Sequence, residues 1–333
     1  MIRKRLLSGI QPTGGGKLHL GNYEGALKPW VTLQDEYEMF CFIADWHSLT
    51  TIAEKQIDIQ EASRQTAIDF LAAGLDPAKC AIFRQSDVKE HAELQLLLSM
   101  VTPIGWLERV PTYKDKRDLL SDNDTQVSYG LLGYPVLQTA DILLYRAHVV
   151  PVGRDQQAHI EISREIARRF NRIVNENIFP EPDALISEST GELPGLDGRK
   201  MSKSYNNAIY LADTAQQTQK RINSAFTTPT KLHVTDPGEP EGCVACKLRK
   251  TYDPSGYQTQ WDECRSGTRG CGQSKKELGE LMNALLQPIR ERRSQIESDT
   301  DYVDKVLADG ADKAREAAVQ TMTIVRRALK ISR

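Results

Sequence analysis

Short apolar runs separated by stretches of helical spacing organise the first half of the chain. Leu6-Leu7, after Arg5, predicts a strand; Gly14-Gly15-Gly16 mark a turn; and a helix is predicted from about Tyr23. The run Met39-Phe40-Cys41-Phe42-Ile43-Ala44 has no polar position and ends at Asp45, as a strand covered on both faces would. Residues 55–73 carry apolar positions at helical spacing, and Cys80-Ala81-Ile82-Phe83 is the next strand-like run. Alternating β and α elements predict an α/β fold, a Rossmann-like doubly wound parallel sheet with helices on both faces and ligands bound at the strand ends. The pattern changes after Ser204. Strands become hard to find, a Pro/Gly/Cys stretch runs over 236–271, and amphipathic helices are predicted for 275–297 and 301–331. The expected organisation is therefore a sheet domain over 1–204 and a mostly helical domain over 205–333. On the last two helices Arg290, Arg292 and Arg293, and then Arg326, Arg327 and Lys330, form basic sets that either face solvent or meet a phosphate backbone.

Composition narrows the class. With 333 residues, 40% hydrophobic and 26% charged, the chain has material for a sizeable core and about two domains, which excludes a disordered or fibrous protein. No run of roughly 18 apolar residues occurs, and Ile2-Arg3-Lys4-Arg5 leads only to Leu6-Leu7 before Ser8-Gly9 interrupt it. A soluble, cytoplasmic protein without membrane association is the expectation. The 43 basic and 45 acidic side chains leave a net charge of −2, so a polynucleotide partner would have to be held by local patches. Cys41 and Cys80 stand singly in apolar runs, whereas Cys243, Cys246, Cys264 and Cys271 cluster, and in a cytoplasmic chain such a cluster reads first as a metal site.

Two segments suit phosphate. In the first, the strand-like start runs through Gln11-Pro12-Thr13 and three glycines to His19-Leu20-Gly21-Asn22 at a helix start, where free backbone N–H groups and the helix dipole favour an anion. The spacing is neither GxGxxG nor GxxxxGK[ST]. The second, Gly195-Leu196-Asp197-Gly198-Arg199-Lys200-Met201-Ser202-Lys203-Ser204, sets two lysines three apart on a glycine-bearing loop that could close over a polyphosphate. Together they resemble the paired signatures of the class I aminoacyl-tRNA synthetases: His19 to Asn22 looks like HIGH with Asn last, and Lys200 to Ser204 reads KMSKS, in order and about 180 residues apart.

Within that class the chain is most similar to the bacterial tryptophanyl-tRNA synthetases, over nearly its whole length. Residues 8–14, 21–23 with 26–27, 134–145 and 150–156 carry the likeness, which the tyrosyl enzymes share less well. The resemblance implies activation of L-tryptophan with ATP and Mg²⁺, transfer to tRNA(Trp), an anticodon-binding role for the helical domain, and a homodimer. It further implies that Gln11, Pro12, Thr13, His19, Gly21, Asn22, Gly153, Arg154, Asp155, Leu193, Lys200, Met201, Ser202, Lys203 and Ser204 contact ATP. Lys114, Lys200, Lys203 and Asn22 would carry catalysis, the lysines acting on pyrophosphate. Tyr134, Gln138, Asp141, Gln156 and His47 would meet the amino acid; Asp141 can accept an indole N–H while Tyr134 and apolar neighbours receive the ring. Gln138 departs from the Met that many bacterial relatives carry. Rival readings are a tyrosyl-tRNA synthetase, a tRNA-independent nucleotidyltransferase of the same superfamily, and a catalytically idle paralogue. The cysteine spacing resembles the [4Fe–4S] pattern C-x₂₂-C-x₆-C-x₂-C of some tryptophanyl enzymes, with Ser274 where the last cysteine would stand and Cys246 as a possible replacement. Tetrathiolate zinc and free thiols remain open at this point.

Overall fold

The computed structural model describes residues 3–52, 57–121, 127–186 and 193–331. Among the described residues five parallel strands form one sheet: β1 (Arg5–Ile10), β2 (Glu38–Ile43), β3 (Cys80–Arg84), β4 (Val149–Val152) and β5 (Asp183–Ile186), in the order β3-β2-β1-β4-β5. This is the doubly wound arrangement, with its switch point between β1 and β4. The apolar runs of the first three strands alternate between two cores because strand side chains point to opposite faces. Leu6, Cys41, Ile43 and Ile82 enter one core, and Leu7, Phe40, Phe42 and Phe83 the other. β2 and β3 agree with the sequence pattern to within one residue and β1 runs three residues past the predicted Leu6-Leu7, whereas β4 and β5 had no counterpart there.

The helices, in chain order, start with a continuous helical run α1 (20–33), whose middle, Tyr23–Leu27, is a π turn. Then come α2 (Asp45–Ile52), α3 (Ile59–Ala73), α4 (Glu90–Ser99), α5 (Pro111–Ser121), α6 (Tyr129–Leu144) and α7 (Gln157–Val174). The predicted helix over 55–73 starts at Ile59, where Asp58 accepts the Glu61 N–H, and stops at Gly74 with φ 113°; 55 and 56 lie outside the described residues. Beyond Ser204 follow α8 (Ala215–Asn223), α9 (Val244–Tyr252), α10 (Tyr257–Arg265), α11 (Cys271–Ser298) and α12 (Thr300–Ala328). Among the described residues that region contributes no strand to the sheet, as its pattern suggests.

Its helices pack on the sheet domain rather than beside it. Leu278, Met282, Leu286 and Ile289 of α11 join Ile68 and Phe70 of α3 in one core. α12 belongs to both: Val303, Val306 and Leu307 lie in the first core, and Ala314, Ala318, Met322 and Val325 in the second. It changes sides at Gly310, where a Cβ would come 1.9 Å from the carbonyl oxygen of Ile82 on β3, the outer strand. Only a residue without a side chain allows that approach.

The basic sets on these two helices divide. Arg290, Arg293 and Arg326 are partly or fully buried and tie the helices to the rest of the molecule, whereas Arg292, Arg327 and Lys330 are exposed, Arg292 and Arg327 with partners of their own. Arg293, buried, pairs with fully buried Asp69 of α3 and bonds Gln65 and Glu297. Arg292 donates to the Ala72 carbonyl at 2.7 Å, and Arg290 to Thr218 and Asn283. Arg326 pairs with Glu93 and Arg327 with Glu176, while Lys330 stays exposed. Asp69 also accepts the Leu18 N–H at 2.7 Å, and burial pushes its carboxyl up to about 6 against the pull of Arg293 and that N–H. Breaking one side of a buried pair strands the other charge, so Arg293→Ala is expected to cost about 3–5 kcal/mol of stability. Urea unfolding measures it; a cost near that of an exposed pair would mean that solvent reaches Asp69.

Candidate active site

A cavity of about 350 Å³ opens at the carboxyl ends of β1 and β4, the switch point. Its floor comes from Leu7, Ser8 and Gly9 of β1 and Val150 to Val152 of β4. Gly9 lets the Phe42 ring lie against the strand, since a Cβ there would fall 2.5 Å from the ring edge. Helix α6 supplies Tyr134, Gln138, Asp141 and Ile142, four positions spaced to share one helical face. His47 from α2, with Gln156 and His159, completes the polar lining, and Trp30 of α1 adds an apolar wall. The five side chains expected to meet an aromatic amino acid, Tyr134, Gln138, Asp141, Gln156 and His47, all line this one cavity. Gln11 and Gly153 of the ATP set line it too.

The polar geometry is dense. Asp141 is 1% exposed. Its Oδ2 lies 2.8 Å from His47 Nε2, and its Oδ1 accepts from Gln85 Nε2 at 2.7 Å and lies 2.7 Å from His91 Nδ1. Burial alone would raise this carboxyl; the neighbouring imidazoles, His47 foremost, outweigh it and hold Asp141 below the ordinary carboxylate range, so it is an anion at neutral pH. The Tyr134 hydroxyl lies 2.8 Å from His159 Nε2 and 2.6 Å from Thr112 Oγ1, and burial raises its pKa. Gln85, His91, Thr112 and His159 were not singled out by motif. The spacing of His91, Leu94 and Leu98 along one face of α4 was the available signal that an inward histidine lies there.

The two phosphate-type segments meet beside the cavity. His19 and Asn22 cap the start of α1 reciprocally: the Asn22 N–H donates to His19 Nδ1 at 3.3 Å, and the His19 N–H to Asn22 Oδ1 at 3.2 Å. Burial, then the charge of Lys203, lowers the His19 pKa to about 4, so the imidazole is neutral and can accept. Lys203 Nζ donates to the Thr13 carbonyl at 2.7 Å, and its chain crosses Gly14, where a Cβ would come 2.9 Å from Lys203 Cδ. Burial lowers the Lys203 pKa to about 8, with Asp69 opposing. The loop itself is organised by Asn207, a residue no motif marked: Nδ2 donates to Asp197 and to the Lys200 carbonyl, and Oδ1 accepts the Ser202 N–H.

Other expected residues fall in varied surroundings. Lys200 is exposed. Lys114 is exposed in the first turn of α5, two residues from cavity-lining Thr112. Arg154 is exposed just after β4, and the side chains of Asp155 and Ser204 lie outside the described residues. Leu193 and Met201 are buried, joined by the Met201 N–H to the Leu193 carbonyl.

The expectation of a single metal centre at Cys243, Cys246, Cys264 and Cys271 finds no support in the side-chain placement. Among the described residues no three Cys, His, Asp or Glu side chains converge as one ion would require. The thiols instead pack on one another: Cys243, preceding the first turn of α9, is hydrogen-bonded to Cys246, and Cys246 to Cys264. Cys271 is only partly buried at the start of α11. The Cys246 thiol, with the backbone N–H groups of Cys246 and Ala245, lowers the Cys243 pKa to about 6 against burial.

Comparison with known proteins places this geometry. Residues 3–287 match the family model of "tRNA synthetases class I (W and Y)". A tryptophan–tRNA ligase of Thermotoga maritima is 48% identical over 330 residues, covering 98% of this chain and 99% of that protein. One from Aquifex aeolicus is 41% identical, covering 98% of this chain and all of that protein. The crystal structure of tryptophanyl-tRNA synthetase from Campylobacter jejuni complexed with ADP and tryptophan superposes with a TM-score of 0.85 at 39% identity, covering 98% of this chain and 99% of that one.

Proposed function

Since the chain belongs to the bacterial tryptophanyl-tRNA synthetases of class I, we propose from that membership a division of labour among its residues. The chain is a tryptophan–tRNA ligase: it activates L-tryptophan with ATP, releasing pyrophosphate, and transfers the tryptophanyl group to tRNA(Trp). The observation that carries the residue assignment is that Tyr134, Gln138, Asp141, Gln156 and His47 line one cavity at the strand switch, with the lysine loop folded onto the glycine turn beside it.

In this reading the indole enters between Trp30, Ile142 and the β1–β4 floor, and its N–H donates to Asp141. Tyr134 receives the ring together with these apolar neighbours, Gln156 and His47 lie near the amino acid, and Gln138 adds a polar contact where many relatives carry an apolar one. The tryptophan carboxylate is already an anion at neutral pH and attacks the α-phosphorus in line. The new C–O–P linkage forms as the bond to the β,γ-diphosphate breaks, and no general base is required. Acceleration then comes from positioning and from charge stabilisation. Gln11, Pro12, Thr13, Gly21 and Gly153 present backbone and small groups to the nucleotide, and the His19–Asn22 cap fixes the helix start against which it rests. Lys203, Lys200 and Lys114 meet the charge that collects on the departing pyrophosphate. Mg²⁺, when bound with ATP, supplies further neutralisation across the phosphate oxygens.

Residues 1–204 carry activation, and 205–333 meet tRNA(Trp) near its anticodon through surfaces other than the arginines that tie α11 and α12 down. A homodimer is supported by the exposed apolar side chains Leu96, Met100, Ile104 and Tyr129, which lie on or beside α4 and α6, helices that pack together. Sedimentation velocity should give twice the chain mass. Among the described residues no helix is long and apolar enough to cross a membrane.

The decisive assay is pyrophosphate exchange with each amino acid in turn. Tryptophan-dependent exchange is expected. Tyrosine-dependent exchange would return the tyrosyl reading, and no exchange with any amino acid would overturn the assignment. For the cysteines, metal-free protein with four titratable thiols in 243–271 after unfolding would leave them as packed free thiols. Brown anaerobically purified protein would instead reveal an iron–sulfur cluster, and one zinc per chain a tetrathiolate site.

A further inference from the structure

The acceptor that faces the amino acid is backed by a second layer of residues that no part of the cavity exposes. Gln85, His91 and Tyr145 are each fully buried, and none lines the cavity. A carboxylate offers about four acceptor positions, two per oxygen. Asp141 Oδ1 meets two donors from this layer, Gln85 Nε2 and His91 Nδ1, and is filled. Oδ2 meets His47 Nε2. One acceptor position is left, on the oxygen that shares its surroundings with a cavity-lining histidine.

Which nitrogen of His91 carries its proton follows from what surrounds it. The anionic Asp141 can only accept, so Nδ1 must donate. On the other side Nε2 lies 2.8 Å from the Tyr145 hydroxyl. Burial, reinforced by the charges of Asp141 and Glu90 and opposed by Arg315, keeps Tyr145 a neutral phenol. Neither Glu90 nor Arg315 has a hydrogen bond to that hydroxyl among the described residues; Arg315 is turned to Asp312 and the Asp87 carbonyl. A doubly protonated imidazole would leave the phenol proton without an acceptor, whereas the Nδ1-protonated neutral form gives every proton one. Phe42, Phe83 and Tyr145 surround the ring, with centroids 5.4–6.3 Å away.

We propose that His91 is a specificity-positioning residue: locked by Tyr145 as the Nδ1-protonated imidazole, it closes Asp141 Oδ1 together with Gln85. The site then takes a single ring N–H donor through Oδ2. The inference rests on the assignment of Asp141 to the indole and adds to it the reason that the pocket accepts one donor and no more. An aromatic amino acid whose ring lacks that N–H, such as the benzothiophene isostere of tryptophan, leaves a buried acceptor position unmet and is rejected.

The test combines kinetics with spectroscopy on the full chain. In the unsubstituted protein, ¹⁵N-histidine NMR should show His91 protonated at Nδ1 and bare at Nε2. His91→Leu should raise the KM for tryptophan in pyrophosphate exchange and lower the preference for tryptophan over the isostere, each on the order of tenfold, what one charge-assisted hydrogen bond is worth, with kcat close to parent. His91→Asn, which keeps a donor toward Asp141, should restore most of both, an outcome that mere loss of packing would not give. A proton on His91 Nε2, or folded His91→Leu with parental KM and preference, would overturn the proposal. Asp141→Asn separates the two levels. If it destroys the preference while His91→Leu does not, this inference falls and the indole assignment stands; if neither changes it, the assignment falls as well.

Discussion

Lys203→Ala should slow tryptophan activation by two to three orders of magnitude, about what removal of one oxyanion donor costs, while tryptophan affinity stays within about twofold of parent. The asymmetry follows from where the ammonium sits. It donates to the Thr13 carbonyl, beside the glycine turn, and is not among the residues that line the amino-acid cavity. It gains its full electrostatic value only as charge gathers on pyrophosphate, so the loss should appear in kcat rather than in the KM for tryptophan. Equal losses in both would remove Lys203 from the transition state. A pH signature accompanies this. Burial lowers the Lys203 pKa to about 8, and the charged form is the one that meets phosphate, so kcat/KM for ATP in the parent should fall as pH rises through about 8. Lys203→Arg, charged across that range, should lose the decline; persistence of the same decline in that variant would assign it to another group.

Asp141→Ala acts at the other end of the reaction. Three donors converge on that carboxylate, and in the proposed complex the indole N–H is a fourth. Removing it strands the ligand's donor in a buried site, so the preference for tryptophan over phenylalanine should drop by a factor of about 10² to 10³. His47, His91 and Gln85 would also lose their common acceptor, so a stability loss of about 3 kcal/mol or more is expected alongside. Asp141→Asn, which keeps the volume, should lose the preference with a smaller stability cost. A folded Asp141→Asn enzyme that rejects phenylalanine as well as the parent would displace Asp141 from the pocket.

Much of the sheet could be read from local pattern, because strands buried on both faces leave an unbroken apolar run such as 39–43. The strands after β3 could not. β4 is only Val149-Val150-Pro151-Val152, with a proline that argues against a strand, and β5 is Asp183–Ile186 with an exposed first residue. The motif-bearing side of the site was equally legible, since the HIGH-like and KMSKS segments are contiguous in sequence. Its supporting layer was not: Gln85, His91 and Tyr145 come from three elements and share no spacing, and Asn207 acts only through the fold of its loop. The basic faces were legible only in part for the same reason. Charge along α11 shows that arginines are clustered, but not that Asp69, 224 residues earlier, waits for one of them.

The passage of α12 around β3 gives the molecule an order of assembly. The outer strand is synthesised among the first 84 residues, yet the helix that flanks it on both faces comes from 300–328. While the ribosome is still making the chain, β3 therefore offers an open strand edge that nothing already synthesised from the last helix can shield, the kind of edge at which nascent chains stick to one another. Truncation at about residue 299 would spare every group assigned to activation and still yield an aggregation-prone product. Replacing Gly310 by a bulky residue should give a milder form of the same fault: full-length chains whose last helix docks late, and which therefore depend more on chaperones for soluble yield than on any contact in the active site.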